Sequence, residues 1–83
     1  MIKILYFARL RDTLNCGEEQ LEYSAAINTA EKLLRTLKGR GAPWQDALEN
    51  VQLLMSVNQT MASPDTSIQD SDEVAFFPPV TGG

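Results

Sequence analysis

Histidine is absent from all 83 residues, so no Ser-His-Asp triad, Cys-His pair or His-ligated metal can be built from this chain alone. The single cysteine, Cys16, cannot close an internal disulfide, which leaves the fold to its apolar core and suits a reducing cytosol. Long hydrophobic runs are missing too. Nothing approaches the roughly 18 apolar residues of a membrane span, and Arg9 and Arg11 interrupt the apolar stretch from Ile4 to Ala8. The chain is therefore expected in the cytoplasm, with neither signal peptide nor membrane contact. Cations are scarce, 7 against 11 acidic residues, giving a net charge of −4. Phosphate backbones are bound mainly by Lys and Arg displacing counterions, so nucleic acid is a poor partner and a protein or small molecule a better one.

What is present fits one small globular domain. Apolar residues make up 43% and charged residues 22%, and the length allows a single core. Ile2 to Ala8 is rich in β-branched and aromatic residues and reads as a strand. Asn15-Cys16-Gly17 signals a turn, and Glu19 to Tyr23 completes a hairpin, with Leu21 and Tyr23 on one face. Asn28 three residues before Glu31 has the spacing of a capping box and predicts a helix start. Ala30, Leu33, Leu34 and Leu37 follow the spacing of one buried helical face, and Gly39 suits a left-handed C-terminal position. Ala42 to Leu48, with Pro43 near its start, reads as a short second helix. Val51 to Val57, Thr60 to Ala62 and Glu73 to Phe77 read as strands, separated by turns at Asn58-Gln59 and Asp70-Ser71-Asp72.

This order predicts an α+β roll of β-grasp type: a mixed sheet of four to five strands covered on one face by an amphipathic helix. Residues 1–77 would form the domain and 78–83 a flexible C-terminal Gly-Gly arm. A sheet covered on one side leaves its other face to solvent or a partner. Strand alternation puts Leu5 and Phe7 on that open face, and Ala75 and Phe77 with them if Val74 and Phe76 are buried. Phe7, Phe77 and Met61 would then form an exposed apolar patch of the kind that marks a protein interface, the alternative being that one of the pair Phe76 and Phe77 simply completes the core.

The segment Phe77-Pro78-Pro79-Val80-Thr81-Gly82-Gly83 leaves a strand through two stiff prolines and ends in two glycines. Fully extended, it reaches at most roughly 25 Å, enough to carry the final carboxylate into another protein. Glycine suits a terminus threaded through a narrow channel, because it adds no side chain and accepts unusual backbone angles. A plain disordered end is the alternative.

These residues carry a resemblance that spans nearly the whole chain. The blocks Ile2 to Ala8 with Arg11, Ala30-Glu31-Lys32-Leu33-Leu34, Val57-Asn58-Gln59-Thr60 and, most specifically, Asp72 to Gly83 resemble the MoaD family. These are the ubiquitin-like β-grasp sulfur carriers that form the small subunit of molybdopterin synthase. The match is poor over 15–26 and 39–50. The resemblance implies that Gly83 is adenylated by a ubiquitin-activating-like adenylyltransferase using ATP, and is then converted to a thiocarboxylate by a sulfur donor protein. It implies further that this thiocarboxylate attacks cyclic pyranopterin monophosphate in the large, catalytic subunit, giving the dithiolene of the molybdenum cofactor. Two loaded carriers would act in turn, within a heterotetramer. No cofactor would be bound permanently, and the carrier would not be catalytic alone. The implied site residues are Gly83 as the sulfur-bearing terminus, Gly82, Thr81, Val80, Pro79 and Pro78 as the arm held by the partner, and Phe7, Arg11, Met61 and Phe77 as the shared interface.

Other residues have plainer readings. Cys16 has no neighbouring histidine or metal pair to support a persulfide role and reads as an incidental turn thiol. Asp70, Asp72 and Glu73 lack the glycine and distant glutamate of an EF-hand and read as a solvated turn. Trp44 reads as a cap on the core edge, and Arg9 as a solvated cation. Two other functions remain open: a thiamine-pathway sulfur carrier, which shares the fold and the Gly-Gly end, and a ubiquitin-like interaction module that is never activated.

Overall fold

A computed structural model describes residues 1–49 and 53–79. Its elements are β1 (Ile2–Tyr6), α1 (Ala8–Leu14), β2 (Glu18–Leu21), a 3₁₀ turn (Ala25–Ile27), α2 (Ala30–Lys38), α3 (Trp44–Glu49), β3 (Leu54–Val57), β4 (Thr60–Met61) and β5 (Glu73–Phe77). The strands form one sheet in the order β2-β1-β5-β3-β4. β1 and β5 run parallel at its centre, and the other pairs are antiparallel, which gives the mixed sheet the sequence predicts.

Alternation decides the two faces. Ile2, Ile4 and Tyr6 of β1, Val74 and Phe76 of β5, and Met55 and Val57 of β3 are buried in one cluster with Ala30, Leu33, Leu37 and Leu48 of the helices. Leu33 and Leu37 are fully buried, and removing each from water contributes about 1.5–3 kcal/mol. Leu34 of the predicted stripe is only half-buried, at its edge.

Several expectations are corrected. The first strand, expected to run to Ala8, stops at Tyr6, and the residues between it and the Asn15-Cys16-Gly17 turn form α1. Leu10 and Leu14, four apart, are both buried, and that single i, i+4 pair is enough to dock the helix. The second strand is displaced to Glu18–Leu21, and Tyr23 lies beyond it, donating its hydroxyl hydrogen to the carbonyl of Ile68 at 2.9 Å.

The α2 N-cap is Thr29, not Asn28, because Asn28 ends the 3₁₀ turn and its carbonyl accepts from the Ile68 amide. Thr29 Oγ1 accepts from the Lys32 amide at 3.2 Å. The amides of Ala30 and Glu31 donate instead to the carbonyls of Thr66 and Pro64, at 2.9 and 2.8 Å, so the loop before β5 satisfies the helix start. Glu31 consequently closes no capping box and pairs with Arg35 one turn on, at 2.9 Å. Gly39 is right-handed, with φ −66°, and the left-handed glycine is Gly41, with φ 87°. The predicted strand from Val51 is shorter, starting at Leu54, and residues 51 and 52 lie outside the described residues. The Asn58-Gln59 turn forms as read: both residues have positive φ, 51° and 69°, which matches a tight hairpin to the sheet twist.

One polar network ties edge strand β2 to the helical layer. Arg40 donates two hydrogen bonds to the Glu19 carboxylate, at 2.8 and 2.9 Å, and Tyr6 donates a third at 2.7 Å. The Arg40 guanidinium also lies 4.5 Å from the centre of the Trp44 ring, which meets the Tyr6 ring in a T-shaped contact. Trp44 thus caps the core edge, as its sequence context suggested. Burial alone would raise the Glu19 pKa, but the hydrogen bonds from Arg40 and Tyr6 outweigh it and hold the carboxyl below its ordinary 4.5. A group depressed in the folded state stabilises above its unfolded pKa, and that stability is lost as pH falls through the folded value. Thermal melts of the native chain should therefore lose stability below about pH 4.5. Glu19→Gln should melt lower at pH 7 and lose less on acidification. An unchanged acid slope would remove Glu19 as its source.

Candidate functional site

The sheet face opposite the core carries the candidate site. Register places Leu5, Ala75, Ser56 and Met61 in one cross-strand row over β1, β5, β3 and β4. Two residues further along, Phe77 pairs with Leu54. The Phe7 amide donates to the Phe76 carbonyl at 3.1 Å, so the chain beyond β1 is held beside the end of β5. The opposite end of the same face is polar, with Lys3 opposite both Gln20 and Glu73, and Lys3 3.8 Å from Glu18. Apolar surface is therefore concentrated where the chain leaves β5.

Phe7 and Met61 are exposed, at 47% and 59%, two of the three large apolar side chains in that class among the described residues. Phe77 shares their face but is half-buried, and Phe76 is fully buried in the core. The alternation argument thus assigned the two phenylalanines correctly. Ala75 departs from expectation: it faces outward but is only 7% exposed, because a methyl group on the central strand is sheltered by the larger Leu5 beside it. Ser56, on its other side, is buried to the same degree.

Arg11 is placed elsewhere. Its guanidinium lies over Gly17, where an added Cβ would stand 3.1 Å from Nε, and it lines a polar cleft with Asp12, Asn15 and Cys16. Every lining residue of that cleft comes from α1 or the turn after it, so the cleft is distinct from the sheet face. Cys16 is half-buried, its thiol 3.6 Å from the Glu18 carbonyl. Asp70 pairs with the N-terminal ammonium, and Asp72 accepts from Asn58 and from the Gln69 amide, so these acids organise a turn. No group of three metal-ligating side chains occurs among the described residues. No helix of the described residues is long and apolar enough to cross a membrane.

Pro78 and Pro79 are half-buried where they continue β5. Val80, Thr81, Gly82 and Gly83, the rest of the predicted 78–83 arm with its reactive terminus, lie outside the described residues. Leu5, Leu54 and Ser56 were not among the interface residues predicted from sequence. For Leu54 the only signal was parity within Leu53-Leu54-Met55, and an unbroken apolar run hides which residue faces which way.

An independent comparison settles the relationship. The model of the ThiS family matches residues 4–83, nearly the full chain. The chain belongs to the ThiS family. Among its relatives is the molybdopterin synthase sulfur carrier subunit of Escherichia coli, 46% identical over 83 residues and covering 100% of both chains. The solved putative molybdopterin converting factor subunit 1 of Pyrococcus furiosus is 27% identical, with a TM-score of 0.78 over 95% of this chain and 97% of that one. The same β-grasp fold occurs in a solved complex of subunits 1 and 2 of molybdopterin-converting factor from Helicobacter pylori. That likeness is 17% identical, with a TM-score of 0.69 over 99% of this chain and 97% of that one. This ThiS-family chain thus matches sulfur carriers over its entire length, arm included.

Proposed function

We propose that this chain is the sulfur carrier subunit of a molybdopterin synthase, a sulfurtransferase complex in which a larger partner performs catalysis. One observation carries the reading: the apolar face of the sheet ends at Phe77, the residue from which the arm departs. A protein seated on Phe7, Phe77 and Met61 is thereby positioned to receive the carboxylate of Gly83. Arm residues 78–83 carry no side-chain charge, so they enter a dry channel without the cost of desolvating one.

A carboxylate is a poor electrophile. Adenylation by a partner adenylyltransferase joins a Gly83 oxygen to the α-phosphorus of ATP and releases pyrophosphate. The outer sulfur of a donor-protein persulfide then displaces AMP, and a thiol cleaves the resulting acyl disulfide, so the donor leaves as a disulfide and a thiocarboxylate, a soft nucleophile, remains. In the large subunit this sulfur attacks cyclic pyranopterin monophosphate, water cleaves the resulting thioester and returns Gly83 to a carboxylate, and a second loaded carrier supplies the second sulfur of the dithiolene. The chain contributes delivery: docking through the open face, with Arg11 a separate contact at its polar cleft, and presentation of the terminus through Pro78, Pro79, Val80, Thr81 and Gly82. Because one face serves both partners, adenylyltransferase and large subunit bind alternately, and the proteins meet in the cytoplasm.

The test is the intact mass of the chain after incubation with a pterin-pathway adenylyltransferase, ATP and a sulfur donor. The expected change is one oxygen replaced by sulfur at the C-terminus. An unchanged mass, with the same enzymes shown to load a known carrier, would favour an interaction module that is never activated.

A further inference from the structure

Ser56 is the one polar residue in the buried class among the described residues, at 9% exposure. It lies on the open face, between Ala75 on the central strand and Met61 on the edge strand. Leu5, Leu54 and Phe77 complete its apolar surroundings on that face. Its hydroxyl makes no hydrogen bond among the described residues, yet it is not sealed from solvent as the Asn28 side-chain oxygen is. In the free chain, that hydroxyl is therefore open to water.

Any protein that covers this face removes that water. A hydroxyl left without a partner in a dry contact costs about 1–3 kcal/mol, whereas a hydrogen bond across the contact adds to affinity and to selectivity. We infer that Ser56 is a specificity-determining residue of the docking face, and that the large subunit of the synthase places a hydrogen-bonding group over its hydroxyl. The inference rests on the sulfur-carrier reading. The large subunit is the committed occupant because the face runs directly into the arm whose terminus that subunit must receive, and the fold occurs in a solved complex of subunits 1 and 2.

The experiment is calorimetric titration of the unloaded full-length chain with the large subunit from the same organism, using the native chain, Ser56→Ala and Ser56→Thr. With no bond among the described residues to lose, both variants should melt within a few degrees of the native protein. Ser56→Ala should bind about tenfold more weakly, the equivalent of one lost hydrogen bond. Ser56→Thr, which keeps the hydroxyl, should stay within about threefold of native. Native affinity in Ser56→Ala, or equal losses in both variants, would overturn the inference while leaving the carrier reading intact. Sulfur-transfer failure of the native chain, with no binding to the large subunit, would instead remove the carrier reading itself and the inference with it.

Discussion

Deleting Gly83 should abolish thiocarboxylate formation completely while leaving the thermal melt of the domain unchanged. The reasoning is geometric. The cluster that holds the fold together spans Ile2 to Phe76, and β5 makes its last ladder pair at Phe77. Among the described residues, that core ends before the arm. Deletion moves the terminal carboxylate back by one residue, about 3.5 Å in an extended arm, more than the tolerance within which a bound carboxylate can attack a phosphorus atom. Intact mass after incubation with adenylyltransferase, ATP and sulfur donor should show full conversion of the native chain and none of the deletion variant. Gly83→Ala separates reach from shape: it keeps the carboxylate position and adds only a methyl group. Slowed loading of Gly83→Ala would point to a channel too narrow for a side chain. Normal sulfur loading of the deletion variant would mean that the terminus is not the carrier group, and the proposed chemistry would fall with it.

How much of this was legible beforehand varied from element to element, for identifiable reasons. The strands Ile2–Tyr6 and Glu73–Phe77 announced themselves through β-branched and aromatic residues bounded by turn chemistry, and their alternation separated Phe76 from Phe77. α1 was missed because seven residues offer only one i, i+4 apolar pair, Leu10 and Leu14, too little periodicity to stand out among Arg9, Arg11 and Asp12. The cap moved from Asn28 to Thr29 because carbonyls of Pro64 and Thr66, over thirty residues away, satisfy the first amides of α2, and local spacing carries no sign of such a partner. Strand order lies similarly beyond local reading. Only the pairing of β3 with β5 puts Leu54 beside Phe77 and Ser56 beside Ala75. Phe7, Met61 and Phe77 were legible residue by residue, but the continuity of the patch through Leu54 and Ser56 was not, nor was the removal of Arg11 to a separate cleft. The C-terminal block was the reverse case: the densest signal in the sequence lies at the arm, where family resemblance and not packing supplied the meaning.

Phe76→Ala and Phe77→Ala should give opposite phenotypes although the residues are adjacent. Phe76 is fully buried, lies opposite Met55 and Tyr6 in the ladders, and stacks on the Tyr6 ring at 5.9 Å. Its truncation removes the apolar transfer energy and leaves a cavity beside Tyr6, Val74 and Met55, a loss of about 3–5 kcal/mol. In a domain of this size each kcal/mol lowers the melting temperature by about 4–8 °C, so the variant should melt at least about 12 °C lower or fail to fold. Phe77 is half-buried on the other face, packed beside Leu54, and its truncation should cost about 1 kcal/mol of stability. Its effect belongs to binding: an aromatic anchor on a docking face, here at the root of the arm, is worth about 2 kcal/mol, or roughly thirtyfold in affinity. Melts and titrations against the large subunit, run on both variants, separate the two roles. Phe77→Ala that melts as low as Phe76→Ala would place both rings in the core and leave the open face without its anchor. Phe77→Ala that folds and binds like the native chain would remove the face from the delivery mechanism, because no partner that grips the arm at its root could be indifferent to the ring from which the arm departs.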